Sequence, residues 1–344
     1  MTAPTATVPP PAPDTADAGL VATLRRHAQG RFVGPVATLV LFVAMFGAVL
    51  DRYQFASPAQ VFLNLLVDNA YLIVLAVGMT FVILTGGIDL SVGAVMAFTG
   101  MFGASLLRDG VPSGVVVPLM LLLGATFGLA IGILVQYFDV QPFIASLAAM
   151  FAARGLAFMV SLDSIRVETP EILWLQTTRM QGAPGSFYIT PTGIIALLVV
   201  LVAALVLAFT RFGRTVYAIG GNEQSARLMG LPVVRTKLLA YVVSGVCAGL
   251  AGVVFTAYTG ASYPLNGMGT ELDTIAAVVI GGTLLTGGSG FVVGSMIGVL
   301  VYGTIKTAIS FMGADQSWTR ISIGLLLLLF VVVQRVIVAR SDRR

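Results

Sequence analysis

Side chains able to do chemistry are scarce in this 344-residue sequence. His27 is the single histidine and Cys247 the single cysteine, so a His-based zinc site, a Ser-His-Asp centre and an intrachain disulfide are excluded by inventory. Lys237 follows Thr236 and Lys306 follows Ile305, so the Gly-Lys pair of a phosphate-cradling P-loop is missing. What remains is Asp89, Arg154 and Lys306, each inside or beside an apolar run. Ionisable groups at membrane depth are costly and are functional candidates by default. These three are too few and too near span ends to favour an ion-coupled secondary transporter, which remains the alternative reading. Asn69, Thr80, Thr85, Thr283 and Thr286 could offer hydrogen bonds along a solute path, and equally could glue helices together.

One polar stretch stands out, Gly213 to Pro232, GRTVYAIGGNEQSARLMGLP. Arg211, Arg214, Arg227, Arg235 and Lys237 lie in and around it, between apolar runs of spanning length, which predicts a cytoplasmic loop at 211–237. Asn222 is suited to cap a helix, Glu223 to its positive end, Gly230 to the C′ position, and Pro232 stops continuation. Such a helix has about two turns and needs a partner surface to persist. Gly221 would allow the turn into it, and Ser225, Ala226, Arg227 and Met229 would complete a docking face. The other reading is an ordinary connector.

The elements that must position these groups follow from composition. The chain is 57% hydrophobic and only 10% charged, against roughly a quarter charged for a soluble domain, and its mean hydropathy is +0.97. An all-α polytopic bundle is predicted, with about ten transmembrane helices over 35–338. Residues 1–34, rich in Pro, Thr and Ala, read as a disordered tail, and 339–344 as a short C-terminal one. Twelve of the 19 basic residues fall near the N-terminus, around the island, or at the C-terminus, which predicts both termini in the cytoplasm. Leu162 to Ile189 is expected outside, as are the turns near Arg108 and Thr259 to Glu271. Gly124, Gly128 and Gly132 recur every four residues, a pattern for close helix packing.

Two glycine-interrupted motifs resemble each other. TGGIDLSVG, Thr85 to Gly93, aligns without a gap with TGGSGFVVG, Thr286 to Gly294. Paired breaks of this kind point to a translocation pathway and an internal repeat. Gly86, Gly87, Gly287 and Gly288 are therefore gating candidates. Asp89 either caps the helix that follows or takes part in gating.

TGGIDLSVG, YAIGGNEQSARLMGLP and ELDTIAAVVIGGTLLTGG together resemble the permease subunits of ribose-type bacterial sugar-importing ABC transporters, over nearly all of Phe55 to Arg335. NAYLIVLAVGMTFVILTGGIDLSVGAVMAFTG is most similar to the galactofuranose-importing members. The resemblance implies an inner-membrane subunit paired with a second permease, homo- or heterodimeric. A cytoplasmic ABC ATPase would dock on Asn222 to Leu231, and a periplasmic binding protein would deliver the sugar. It implies no catalytic residue, metal or cofactor in this chain, with ATP and Mg held by the ATPase.

Overall fold

The computed structural model describes residues 35–50, 52, 57–181 and 187–342. The tail expected at 1–34 lies outside them. Helices are α1 (Pro35–Leu50), α2 (Pro58–Asp68), α3 (Ala70–Leu84), α4 (Val92–Arg108), α5 (Ser113–Tyr137) and α6 (Pro142–Val160). Then come β1 (Ile165–Arg166), α7 (Pro170–Thr177), β2 (Met180–Gln181), β3 (Tyr188–Ile189), α8 (Pro191–Phe209), α9 (Arg211–Gly221) and α10 (Glu223–Leu228). The chain closes with α11 (Val233–Thr259), β4 (Ala261–Ser262), α12 (Thr270–Ile280), α13 (Val292–Phe311) and α14 (Gln316–Asp342). The predicted all-α polytopic class is what the chain adopts.

Proline opens α2, α6 and α8 in their first turn, where its missing N–H costs nothing. α3 is apolar on every face and every residue from Leu72 to Leu84 is buried, so it is the axis of the bundle. α5 and α11 pack most closely: a Cβ at Gly124 would strike the Gly245 carbonyl, and one at Gly128 the Tyr241 carbonyl. The repeated glycines are there for approach of backbones, as expected. α5, α6 and α8 turn large apolar groups outward, among them Leu122, Phe151, Leu198 and Leu201, the surface a lipid-facing helix presents.

Among the described residues five helices are long and apolar enough to cross a membrane, six with one bent pair counted as a span. That pair is α2 and α3, expected as one straight span and instead bent by 62°. The cause is Asn69, whose Nδ2 donates to the Leu65 carbonyl at 2.8 Å and takes an acceptor of the backbone ladder. A second departure is the short apolar segment expected to span from Thr274 to Leu285. α12 has 11 residues, about 16 Å of rise, well short of a hydrocarbon core of roughly 30 Å.

The segments expected to share the outer side do gather at one end. β1 pairs with β4 through Ile165 and Ser262, and the Tyr188 N–H donates to Gln60 Oε1 at 2.8 Å. From there residues 263–269 fold inward. On α4, Gly100 packs against Ser262 and Thr256, while Gly93 packs against Gly267 and Glu271. Seven helical residues separate those two contacts, so the loop descends about 10 Å into the bundle before α12 begins.

Candidate functional site at the glycine junction

The polar island is two helices. Thr210 caps α9 by accepting the Gly213 N–H at 3.1 Å, and Phe212 stacks on the buried Phe81 of α3 with ring centroids 5.9 Å apart. Asn222 then caps α10, accepting the Ser225 N–H at 2.8 Å. Gly230 closes it at φ +73°, with the Leu231 N–H on the Ala226 carbonyl, a Schellman-type end. The expected caps are thus the observed ones. The preceding helix α9 was not foreseen, although Phe212, Val216 and Ile219 fall on one helical face among its arginines and glycines.

Glu223 ties the island down. Its Oε1 accepts from Arg227 at 2.7 Å and its Oε2 from Lys237 on α11 at 2.9 Å. Burial pushes the Glu223 carboxyl up, but these two cations outweigh it and hold the group below the usual carboxylate range. The Arg227 contact was legible as an i, i+4 pair; the Lys237 contact needed the fold. Ala226 faces inward, fully buried with Ile219 and Val233. It therefore anchors the island and cannot form the outer face expected of it. The outward face is Leu228 and Met229, 83% and 68% exposed. Leu228 was missed, although an apolar residue at a charged helix's end was the available signal.

α9 ends where the two glycine motifs meet. The Gly288 N–H donates to the Leu84 carbonyl, the last residue of α3, at 3.0 Å. Gly86, Gly287 and Gly288 take φ of +79°, +85° and +73°, which only glycine adopts without strain. Gly220 at the end of α9 lies between them: a Cβ there would strike both the Leu84 carbonyl and the Gly288 N–H. Tyr217 of α9 donates to the Gly290 carbonyl at 2.8 Å. Gly87 stays glycine for space, since a Cβ would lie 2.5 Å from the Tyr241 hydroxyl. Gly221, by contrast, has open space around it, so Gly220 and not Gly221 is the sterically required residue. Three segments distant in sequence thus touch backbone to backbone, two residues before the cap of α10.

A family model described as the branched-chain amino acid transport system / permease component matches residues 61–331. The chain belongs to this family of transport permeases. It is a multi-pass membrane protein and a transport component, not an enzyme. It is 44% identical to the fructose import permease protein FruG of Bifidobacterium longum, covering 90% of this chain and 92% of that one. It is 45% identical to the inner membrane ABC transporter permease protein YjfF of Escherichia coli, covering 87% and 90%. Against the ribose import permease protein RbsC of Escherichia coli identity is 38%, covering 78% and 84%. No solved structure matches the chain.

In the permease the remaining residues expected along a pathway divide. Thr85, Gly86, Gly87, Thr286, Gly287 and Gly288 come together at the junction. Thr85 gives its hydroxyl to the Val82 carbonyl, while Thr286 stays exposed. Thr283 is buried beside Gly290 and its hydroxyl has no hydrogen-bond partner. Thr80 sits midway along α3, sharing a 2.8 Å hydrogen bond with Ser295 of α13. Asn69 is at the far end of α3, about 22 Å away by helical rise. Asp89, 1% exposed, is clamped: Oδ1 accepts the N–H and hydroxyl of Ser91, the residue just before α4, and Oδ2 accepts from the hydroxyl of Ser244 on α11. Each carboxylate oxygen is satisfied within the protein, which joins the start of α4 to α11. Among the described residues no cluster of His, Cys, Asp and Glu could hold a metal.

Proposed function

We propose that this permease is the membrane subunit of an ATP-driven importer of monosaccharides, working in the inner membrane with a second permease, a separate ABC ATPase and a periplasmic binding protein. The observation that carries the reading is the glycine junction. α10 is tied to α11 by Glu223 and Lys237, and α9 ends between the two pathway breaks at Gly220. A force on α10 therefore reaches the ends of α3 and of the 281–291 loop without a compliant side chain in between. Such a joint can switch two packed arrangements when a partner favours one.

On this reading the island is cytoplasmic and the β1–β4 end faces the periplasm, which the clustering of basic residues supports. Leu228 and Met229 are the apolar tip that the ATPase covers, with Glu223 and Arg227 at its rim. ATP and Mg belong to the ATPase. The names of the fructose and ribose permeases support a sugar as cargo, and the run Asn69 to Gly100 supports galactofuranose among sugars.

The test is a Leu228→Asp, Met229→Asp variant in proteoliposomes with the co-purifying ATPase and binding protein. The expected result is at least a tenfold fall in ATPase binding together with loss of uptake, at normal membrane insertion. Wild-type binding and uptake would overturn the coupling role. Uptake driven by an ion gradient without ATP would instead establish a secondary transporter. Labelled galactofuranose, ribose and fructose compared in the same vesicles decide the cargo.

A further inference from the structure

A second feature lies at the opposite end of the permease, where α3 begins. The bend at Asn69, the inward loop 263–269 and the ends of α11 and α13 enclose a cavity of about 750 Å³. That is within the range of ligand sites, roughly 300–1,000 Å³. Its walls mix aromatic faces with hydrogen-bonding tips: Asp68, Tyr71, Phe255, Tyr258, Asn266 and Lys306. We infer that this cavity is the receiving site for a neutral sugar, in which planar acceptors and aromatic rings hold the sugar as it leaves its carrier. The inference rests on the importer reading and adds to it the place and chemistry of first contact.

The chemistry favours a polyhydroxylated, uncharged ligand. Asp68 offers carboxylate acceptors, Lys306 only donors, and Asn266 both through its amide, so hydroxyls that donate and accept can each be met. Tyr71 and Phe255 pack edge to face with centroids 4.9 Å apart, giving an apolar surface for the C–H face of a ring. The Tyr258 hydroxyl reaches Asp68 at 3.3 Å, a long bond that a sugar hydroxyl can replace. The charged side chains in the walls are Asp68 and Lys306, one of each sign, so the walls carry no excess of either. A charged solute gains little there.

The walls are also built to hold their shape. Arg154, a cation on α6 with no acidic partner within salt-bridge distance among the described residues, donates one nitrogen to the carbonyls of Pro264 and Asn266, at 2.5 and 2.8 Å. It is a positioning residue for the inward loop. Gly303 of α13 leaves room for the Asn69 amide, which a Cβ would displace. Gly267 and Gly269 turn the loop at φ +67° and +85°. The cavity floor is the start of α12, the helix too short to span.

The experiment uses the full complex in proteoliposomes. Asp68→Ala and Tyr71→Ala should each lower sugar uptake at least tenfold, while the ATPase still binds the island as in wild type. In a Cys247→Ala background, Thr307→Cys places a thiol in the cavity wall. A bulky membrane-impermeant maleimide added from the binding-protein side should then cut uptake at least fivefold, and sugar-loaded binding protein should slow the labelling. Wild-type uptake by both alanine variants, or by the labelled cysteine variant, overturns the receiving site while leaving the importer intact. A wild-type complex that takes up no sugar overturns the importer reading and this inference with it.

Discussion

At Gly220, Gly287 and Gly288 three chain segments meet with no side chain between them; at Asp68, Tyr71 and Asn266, on the far end of the same helix α3, side chains line an open space. The first end is dense, and a backbone hydrogen bond between distant segments runs there from the Gly288 N–H to the Leu84 carbonyl. The second is roomy and its contacts are side-chain contacts, some as long as 3.3 Å. Dense backbone packing has few intermediate arrangements, so it suits a joint that must move as a unit. A side-chain-lined space tolerates exchange of one hydrogen-bond partner for another, which suits passage of a solute. Both ends depend on a broken helix, the bend at Asn69 and the stop after Leu84, and what differs is whether glycine or polar side chains fill the break.

The largest effect should come from closing the joint. Gly220→Val puts a side chain against the Leu84 carbonyl and the Gly288 N–H, neither of which can yield as a flexible side chain would. Uptake should fall at least a hundredfold, with destabilisation on the order of 3 kcal/mol. Thermal unfolding in detergent and uptake together check this. The control Gly221→Val, facing open space, should keep both near wild type, and equal damage from the two would show that the joint is not steric.

Next in size is Arg227→Pro, which breaks α10, costs the helix about 3 kcal/mol and should abolish ATPase binding. The spans should still insert, and the cavity at the far end should still admit the maleimide at Thr307→Cys. If the cavity closes as well, the two ends are coupled even without the ATPase.

The smallest effect belongs to Glu223. Its pairs are partly exposed, so Glu223→Gln should cost no more than about 1 kcal/mol. The sign with pH is definite. The folded carboxyl titrates below its ordinary value of 4.5, so its contribution is complete above that value and is lost as pH falls through the lower, folded one. A spin label at Met229→Cys, in the Cys247→Ala background, should gain mobility on acidification in that window. Glu223→Gln should be mobile already at neutral pH and show no such transition.

Much of this was legible before any fold. Composition alone required an all-α membrane bundle, because a chain with 10% charged residues cannot clothe a soluble surface. The caps of α10 were readable because capping is local: Asn222 accepts from Ser225 three residues on, and the turn at Gly230 sets the Leu231 N–H on the Ala226 carbonyl five residues back. The glycine spacing on α5 foretold close packing, since periodicity places side chains on one face whatever lies opposite.

What the tertiary structure decided was every pairing across long sequence separation. TGGIDLSVG and TGGSGFVVG were recognisable as twins, but only folding puts Gly288 on Leu84 and Gly220 between them. Lys237 finding Glu223, and Ala226 turning inward so that Leu228 and Met229 face out, depend on how α10 rests on α11. The bend at Asn69 escaped notice because an apolar window averages over one polar residue, whereas the backbone responds to that residue's amide. The cavity escaped for the same kind of reason. It is lined by α2, α3, α11, the inward loop, the start of α12 and α13, and no one-dimensional pattern registers a space that six segments leave between them.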